Sequence, residues 1–247
     1  MTNVEDIIKA ALANPAQARA ELERERCKRS LFDFVSIAWP NLHPGEEMIG
    51  GWSMETICRH LEAVSNGTVD RLLINVPPGF AKSLLVNVFW PAWEWGPLGR
   101  QHYKYISASY EKGLAIRDLM LCRDLIKSEW YQSHWPTEFK ADSDGKSEYT
   151  NEGRGWRYAS SVGSGLTGRR GHRFIIDDPH SVGLAESEAE RATARFWFSE
   201  TTPTRFVDQK RPVYVIIMQR LHEQDISGLI INKLAEQQGW THLVIPM

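Results

Sequence analysis

In the stretch RLLINVPPGFAKSLL, Arg71 to Leu85, an apolar run ends in Pro77-Pro78-Gly79, and Lys82-Ser83 follow three residues later. Phosphate loops have this build. Backbone N–H groups of the turn point at phosphate oxygens, the next helix adds the positive end of its dipole, and a lysine neutralises β- and γ-phosphate charge. A Ser or Thr directly after that lysine ligates Mg²⁺. The full pattern G-x-x-x-x-G-K-[ST] needs glycine at positions 76 and 81, where this chain has Val76 and Ala81. With Ala81 there, the loop must keep a negative φ or carry strain. Pro77, Pro78, Gly79, Phe80, Ala81, Lys82, Ser83 and Leu84 form a candidate phosphate cradle; the alternative is an ordinary strand–helix turn.

A nucleotide-hydrolysing site needs acids to answer the lysine. RFIIDDPH supplies them: Phe174, Ile175 and Ile176 read as a buried strand ending in Asp177-Asp178. The first acid meets Mg²⁺ directly or through its waters, and the second polarises the attacking water. Like charges side by side are costly without cations or water. The alternative is two aspartates capping the turn before Pro179. Between the two motifs lies SSVGSGLTGRRGHRF. Its glycine-flanked Arg169 and Arg170 could reach a γ-phosphate in their own subunit or a neighbour's, contact DNA phosphates, or sit in a solvated loop. In VYVIIMQRLHEQDISG, Gln219 at a strand end is a candidate γ-phosphate sensor, while Asp225 suits the N-cap of the next helix. His222 lacks a second His or Cys at metal-binding spacing, and the other histidines read as structural or surface residues.

The elements that must hold these residues alternate. RLLINV reads as strand and 82–93 as helix; HYKYISAS as strand and YEKGLAIRDLMLCRDLIKS as helix; EYTNEGRGWRYASS as a hairpin. HRFIIDD, PVYVIIM and THLVIP read as strands, with helices in ESEAERATARFWFSE and DISGLIINKLAEQQ. Continuous apolar strands alternating with helices imply an α/β protein with a mostly parallel sheet covered on both faces. Both motifs then fall at carboxyl ends of parallel strands, where such sheets bind ligands. Ahead of the loop, residues 3–30 read as helical with Pro15 interrupting or starting a helix. LFDFVSIAWPNLHPGEE reads as an aromatic segment ending in a turn, and WSMETICRHLEAV has helix period, stopped by Asn66-Gly67.

The 247 residues suit one large domain or one with a helical appendage. A net charge of −2 excludes a globally basic protein, so any nucleic acid must be held by local patches. Cys27, Cys58 and Cys122 form no C-x-x-C pair and read as reduced thiols. No signal-peptide pattern is read in the sequence, and no apolar run nears the ~18 residues of a membrane span. The cluster Trp90, Trp93, Trp95 reads as core, with base stacking as the alternative. GRGWRY, with Arg154 and Arg157 beside Trp156 and Tyr158, is a candidate non-specific DNA contact. Trp39, His43 and Trp52 precede the loop at a distance suited to an adenine pocket.

Taken in order, GWSMETICRHLEAV, RLLINVPPGFAKSLL, ISASYEKGLAIRD, GLTGRRGHRFIIDDPH, VIIMQRLHEQDISG and HLVIP resemble the ATPase domain of tailed-phage terminase large subunits, over roughly residues 40 to 247. The resemblance implies a P-loop NTPase of the ASCE type with an N-terminal helical segment. Residues 1–65 would form the lid and adenine side, and 66–247 the ATPase core. It implies ATP and Mg²⁺ as cofactors: Lys82 and Ser83 on nucleotide and metal, Asp177 on Mg²⁺, Asp178 near the attacking water, and Arg169 or Arg170 as an arginine acting in trans. It implies double-stranded DNA, a portal protein and a small terminase subunit as partners, and a homo-oligomeric ring, a pentamer, when assembled in the host cytoplasm. Two departures stand out. Many relatives carry Arg where this loop has Gly79, and Glu where it has Asp178, so Glu186 or Glu188 is an alternative base. No nuclease domain fits after the sheet, so a truncated or stand-alone ATPase half without nuclease activity is expected. The competing readings are a helicase-like translocase and a nucleotide-binding module without turnover.

Overall fold

A computed structural model describes residues 14–246; the helical reading of residues 3–13 lies outside them. Asn14 accepts from the Gln17 N–H and Pro15 takes the first helical position, where its missing N–H costs no bond, so helix α1 spans Pro15–Arg29. Ser30 ends α1 and caps α2, Leu31–Leu42. This second helix lies in the stretch read from sequence only as an aromatic segment ending in a turn. Its period is present, since Leu31, Phe34, Val35 and Ala38 are the buried residues, but aromatic bulk and Pro40 in its last turn obscure it. Helix α3, Trp52–Ser65, ends where expected, before Gly67 at φ +81°.

The alternating part follows: β1, Arg71–Asn75; helix α4, a π-helical turn Leu84–Phe89 continued by Trp90–Trp95; β2, Lys104–Ser109; α5, Lys112–Lys127; and α6, Glu129–His134. Then come β3, Phe139–Asp144; β4, Glu148–Asn151; β5, Trp156–Ser161; and β6, Arg173–Asp177. Helix α7, Glu188–Phe196, precedes β7, Tyr214–Met218. Helix α8 begins at Ile226–Leu229 and runs through a π-helical turn, Ile230–Leu234, into Ala235–Gln238, before β8, Thr241–Val244.

The strands form one sheet in the order β3-β4-β5-β2-β6-β7-β1-β8. All neighbours from β5 to β8 pair in parallel; the pairs β3–β4 and β4–β5 are antiparallel, so β4 alone runs against the other strands. The mostly parallel α/β architecture is therefore as expected. Every residue of β6 and β7 is buried, as central strands covered on both faces require. Helices α1 to α6 share one apolar core with one face of the sheet, and α7 and α8 cover the other.

Trp90, Trp93 and Trp95 lie in the first core, so they are packing residues and do not stack on bases. Their indole N–H groups bond Ser65 Oγ at 2.8 Å, the Cys27 carbonyl at 2.5 Å and the Tyr103 carbonyl at 3.1 Å, which ties α1 and α3 to α4. The three cysteines are free and buried. Among the described residues no helix is long and apolar enough to cross a membrane.

Candidate active site

The chain leaves β1, turns through 76–81 and enters α4 at Lys82. Lys82 and Ser83 thus sit in the first helical turn, where backbone N–H groups have no intrahelical acceptor. Gly79 has φ +88°, and an added Cβ there would meet nothing within 4 Å, so the loop faces open space. Of the two alternatives at position 81, Ala81 takes the strained one, at φ +51°. A non-glycine residue pays of order 1–3 kcal/mol for such a conformation unless its surroundings impose it. Here the Ala81 carbonyl accepts from the Leu85 N–H at 3.1 Å and starts the helix.

Asp177 ends β6 and Asp178 follows it, two strands from β1 with β7 between, which is about 10 Å at normal strand spacing. A lysine side chain spans much of that gap. Lys82 Nζ donates to Asp178 Oδ1 at 2.7 Å and lies 2.6 Å from Oδ2, across 96 positions of sequence. Asp178 is itself strained, at φ +41°. Its N–H donates to the Ile217 carbonyl, its carbonyl accepts from the Tyr110 N–H, and its Oδ1 accepts from the Gln219 N–H at 3.2 Å. The flanking strands β2 and β7 therefore hold the carboxylate in place, and Gln219 is brought to it through its backbone.

Asp177 faces inward. Asn87 Nδ2 donates to its Oδ2 at 3.3 Å, while its Oδ1 is buried with no partner. Burial first, and the Asp178 carboxylate second, push its pKa up to about 7; the Ser83 hydroxyl pulls the other way without offsetting them. An unpartnered buried oxygen beside a serine hydroxyl is a donor set for a hard cation. Among the described residues no three His, Cys, Asp or Glu side chains cluster around a metal position. Mg²⁺ in nucleotide sites needs no such cluster, because it is held by one or two carboxylates, phosphates and waters. The residues fit Mg²⁺.

No protein-family model and no curated protein sequence matches the chain. Among solved structures, the crystal structure of the HK97 bacteriophage large terminase superposes on 90% of this chain with a TM-score of 0.56 and 12% identity. This chain has a large-terminase fold. It covers 43% of the HK97 chain. The structure of the large terminase from the thermophilic bacteriophage D6E in complex with ATP-gamma-S is matched over 76% of this chain and 43% of that one, with a TM-score of 0.49 and 12% identity.

On this terminase fold the remaining candidates separate. Arg169 and Arg170 lie away from Lys82. The Arg169 guanidinium packs over Trp156 and Tyr158 of β5 and pairs with Glu148 of β4, whereas Asp177 is level with Ser109 at the far end of β2. Both arginines line an open groove of about 550 Å³ with Lys104, Trp156 and Arg205, at the starting ends of the strands. A contact from either arginine to the γ-phosphate of its own chain does not fit this placement. Arg157, a candidate DNA contact, is fully buried and bonded to the Asn87 carbonyl at 2.5 Å, so it touches no DNA. Glu188 pairs with Arg191 and Arg195 on α7, and Glu186 is exposed, so Asp178 is the acid brought to the lysine. Asp225 caps α8 through the Gly228 N–H at 2.7 Å, as its position implied. Trp39 and His43 stack at 4.4 Å, whereas Trp52 is 64% exposed. Asn87 was not singled out from sequence, although a lone amide within the apolar run LLVNVF, one turn beyond Ser83, was a legible signal.

Proposed function

We propose that this chain is a Mg²⁺-dependent ATPase and the motor half of a DNA-packaging terminase. One observation carries the reading: the loop lysine and the paired aspartates, far apart in sequence, converge at the carboxyl edge of a parallel sheet. The terminase fold supports the packaging assignment.

Without nucleotide, Lys82 is held by Asp178. ATP replaces that partner: the N–H groups of the Pro77–Leu84 cradle take the phosphate oxygens, and Lys82 turns to the β- and γ-phosphates. This exchange frees Asp178 to orient water for in-line attack, so binding itself unlocks the base. Ser83 and Asp177 hold the metal. Mg²⁺, when bound, neutralises charge on the β- and γ-oxygens. Gln219, whose backbone already touches Asp178, transmits the state of the γ-phosphate to β7 and α8.

The arginine comes from a neighbouring subunit, because each chain's own pair is at the opposite end of the sheet. Arg170 is the better finger: it is exposed between Gly168 and Gly171, while Arg169 is tied to Glu148. Residues 1–65 form the adenine side, with Trp39 and His43 as its aromatic face. Double-stranded DNA, a portal protein and a small terminase subunit are the proposed partners, in a pentameric ring in the host cytoplasm.

Phosphate release in Mg²⁺-ATP tests this. Lys82→Ala should lose about 10²-fold or more in rate, the scale on which a preorganised charge contact acts. Retained hydrolysis would remove the loop assignment. Strand separation on a forked duplex would favour a helicase over a packaging motor.

A further inference from the structure

Asn87 sits in the π-helical turn of α4 and is 2% exposed. It lies four residues after Ser83 and so on the same face, one turn deeper. Asn87 Nδ2 donates to Asp177 Oδ2 at 3.3 Å, so the amide presents its NH₂ group to Asp177 and its carbonyl oxygen lies on the other side of the amide. That Asn87 Oδ1, like Asp177 Oδ1, is buried with no donor. Two acceptors of one contact thus lack partners, although buried polar atoms are nearly always bonded. A hydrated Mg²⁺ brings what both lack: a positive centre for the carboxylate and water O–H groups for the amide.

The backbone of Asn87 is pinned independently. In an α-helix its carbonyl would accept from residue 91, but Pro91 has no N–H. The buried Arg157 takes that place, donating from Nη1 at 2.5 Å, while its Nη2 donates to Ser107 Oγ at 3.2 Å and its guanidinium lies 5.7 Å from the Tyr105 ring centre. One residue of α4 is therefore locked to β5 and β2 through its main chain and to β6 through its side chain.

We infer that Asn87, anchored by Arg157, is a positioning residue of the metal site: it holds Asp177 Oδ2 so that Oδ1 faces the cation, and its own Oδ1 accepts from the cation's water. The inference rests on the Mg²⁺-ATPase reading. Groups that orient metal ligands in this way are worth about 10–100-fold in metal affinity or activity.

The test measures affinity for a fluorescent ATP analogue in EDTA and in Mg²⁺, and Mn²⁺ affinity of the nucleotide complex by electron paramagnetic resonance, for the whole chain. In Asn87→Leu the metal-dependent gain in nucleotide affinity and the Mn²⁺ affinity should fall about 10–100-fold, with metal-free affinity within about twofold of wild type. Arg157→Lys, which keeps the charge but loses the fork, should shift both in the same direction by less. An unchanged metal-dependent gain, or equal losses with and without metal, would overturn the inference. Should Asn87→Leu fail to fold, Asn87→Ser, too short to reach Asp177, is held to the same two outcomes. If wild type shows no metal-dependent gain, the ATPase reading itself falls; if wild type shows it and the variants keep it, only the role of Asn87 falls.

Discussion

Asp177 places function against stability in one side chain. Its carboxyl holds a proton in the folded state up to about pH 7 because it is buried beside Asp178, whereas the ordinary value is 3.8. Between those values the native state binds a proton that the unfolded chain has lost, so nucleotide-free stability falls as pH rises from about 4 to about 7. Asp177→Asn should remove that slope and raise Tm by several degrees at pH 8 without ligand. The same variant should lose the Mg²⁺-dependent part of nucleotide affinity. Calorimetry across pH checks the first expectation, and a variant less stable than wild type at pH 8 would contradict it. Ala81 is the converse case. At φ +51° it carries strain that glycine would not. Ala81→Gly should therefore raise stability by about 1 kcal/mol in denaturant titration while nucleotide affinity is kept. Position 81 is where the loop pattern fails; the residue type left a negative φ or strain open, and the fold decided for strain.

The elements hold these residues through contacts at both ends of the strands. At the starting edge, His172 Nδ1 accepts from the Lys104 N–H at 3.1 Å, and its ring stacks on Tyr103 at 4.9 Å, joining the entries to β2 and β6. Burial, then the positive neighbours Lys104, His102 and Arg173, push its pKa down to about 4 from 6.5. The unfolded state binds the proton first, so this contribution is complete above about pH 6.5 and lost as pH falls toward 4. His172→Gln, which keeps an acceptor, should flatten Tm over that window; an unaltered acid slope would show that the ring does not titrate there. Strands β1, β2, β6 and β7 were legible as apolar runs bounded by polar ends. Helix α2 was not, because its apolar face merges with the aromatic residues around it and Pro40 reads as a breaker. The π-helical turn of α4 was also hidden, as was the contact by which Arg157 fills the Asn87 carbonyl that Pro91 leaves open.

For the assembled molecule the decisive fact is that the arginine pair and the lysine occupy opposite ends of one sheet. In the proposed finger role the pair must act on a neighbour's phosphate, so specific activity should rise with protein concentration. Arg170→Ala alone should lose about 10³-fold or more in rate. Mixing Arg170→Ala chains, whose site is intact, with Lys82→Ala chains, whose arginine is intact, should restore hydrolysis that neither shows alone. Absence of recovery at concentrations where the wild type is active would reject the shared site.

The linear order of residues determined the chemistry on offer: a lysine and serine after an apolar strand, two acids after another, and an alternation that only a parallel sheet satisfies. Those features are local, because strand period, turn residues and charge placement act over a few neighbours. Tertiary structure alone decided which groups meet. The sheet order sets β7 between the lysine and the acids, selects Asp178 over Glu188 as the lysine's partner, withdraws Arg157 into the core, and sends Arg169 and Arg170 to the far edge. Such pairings depend on how strands separated by many residues come to lie side by side, and no short-range pattern in the chain encodes that distance.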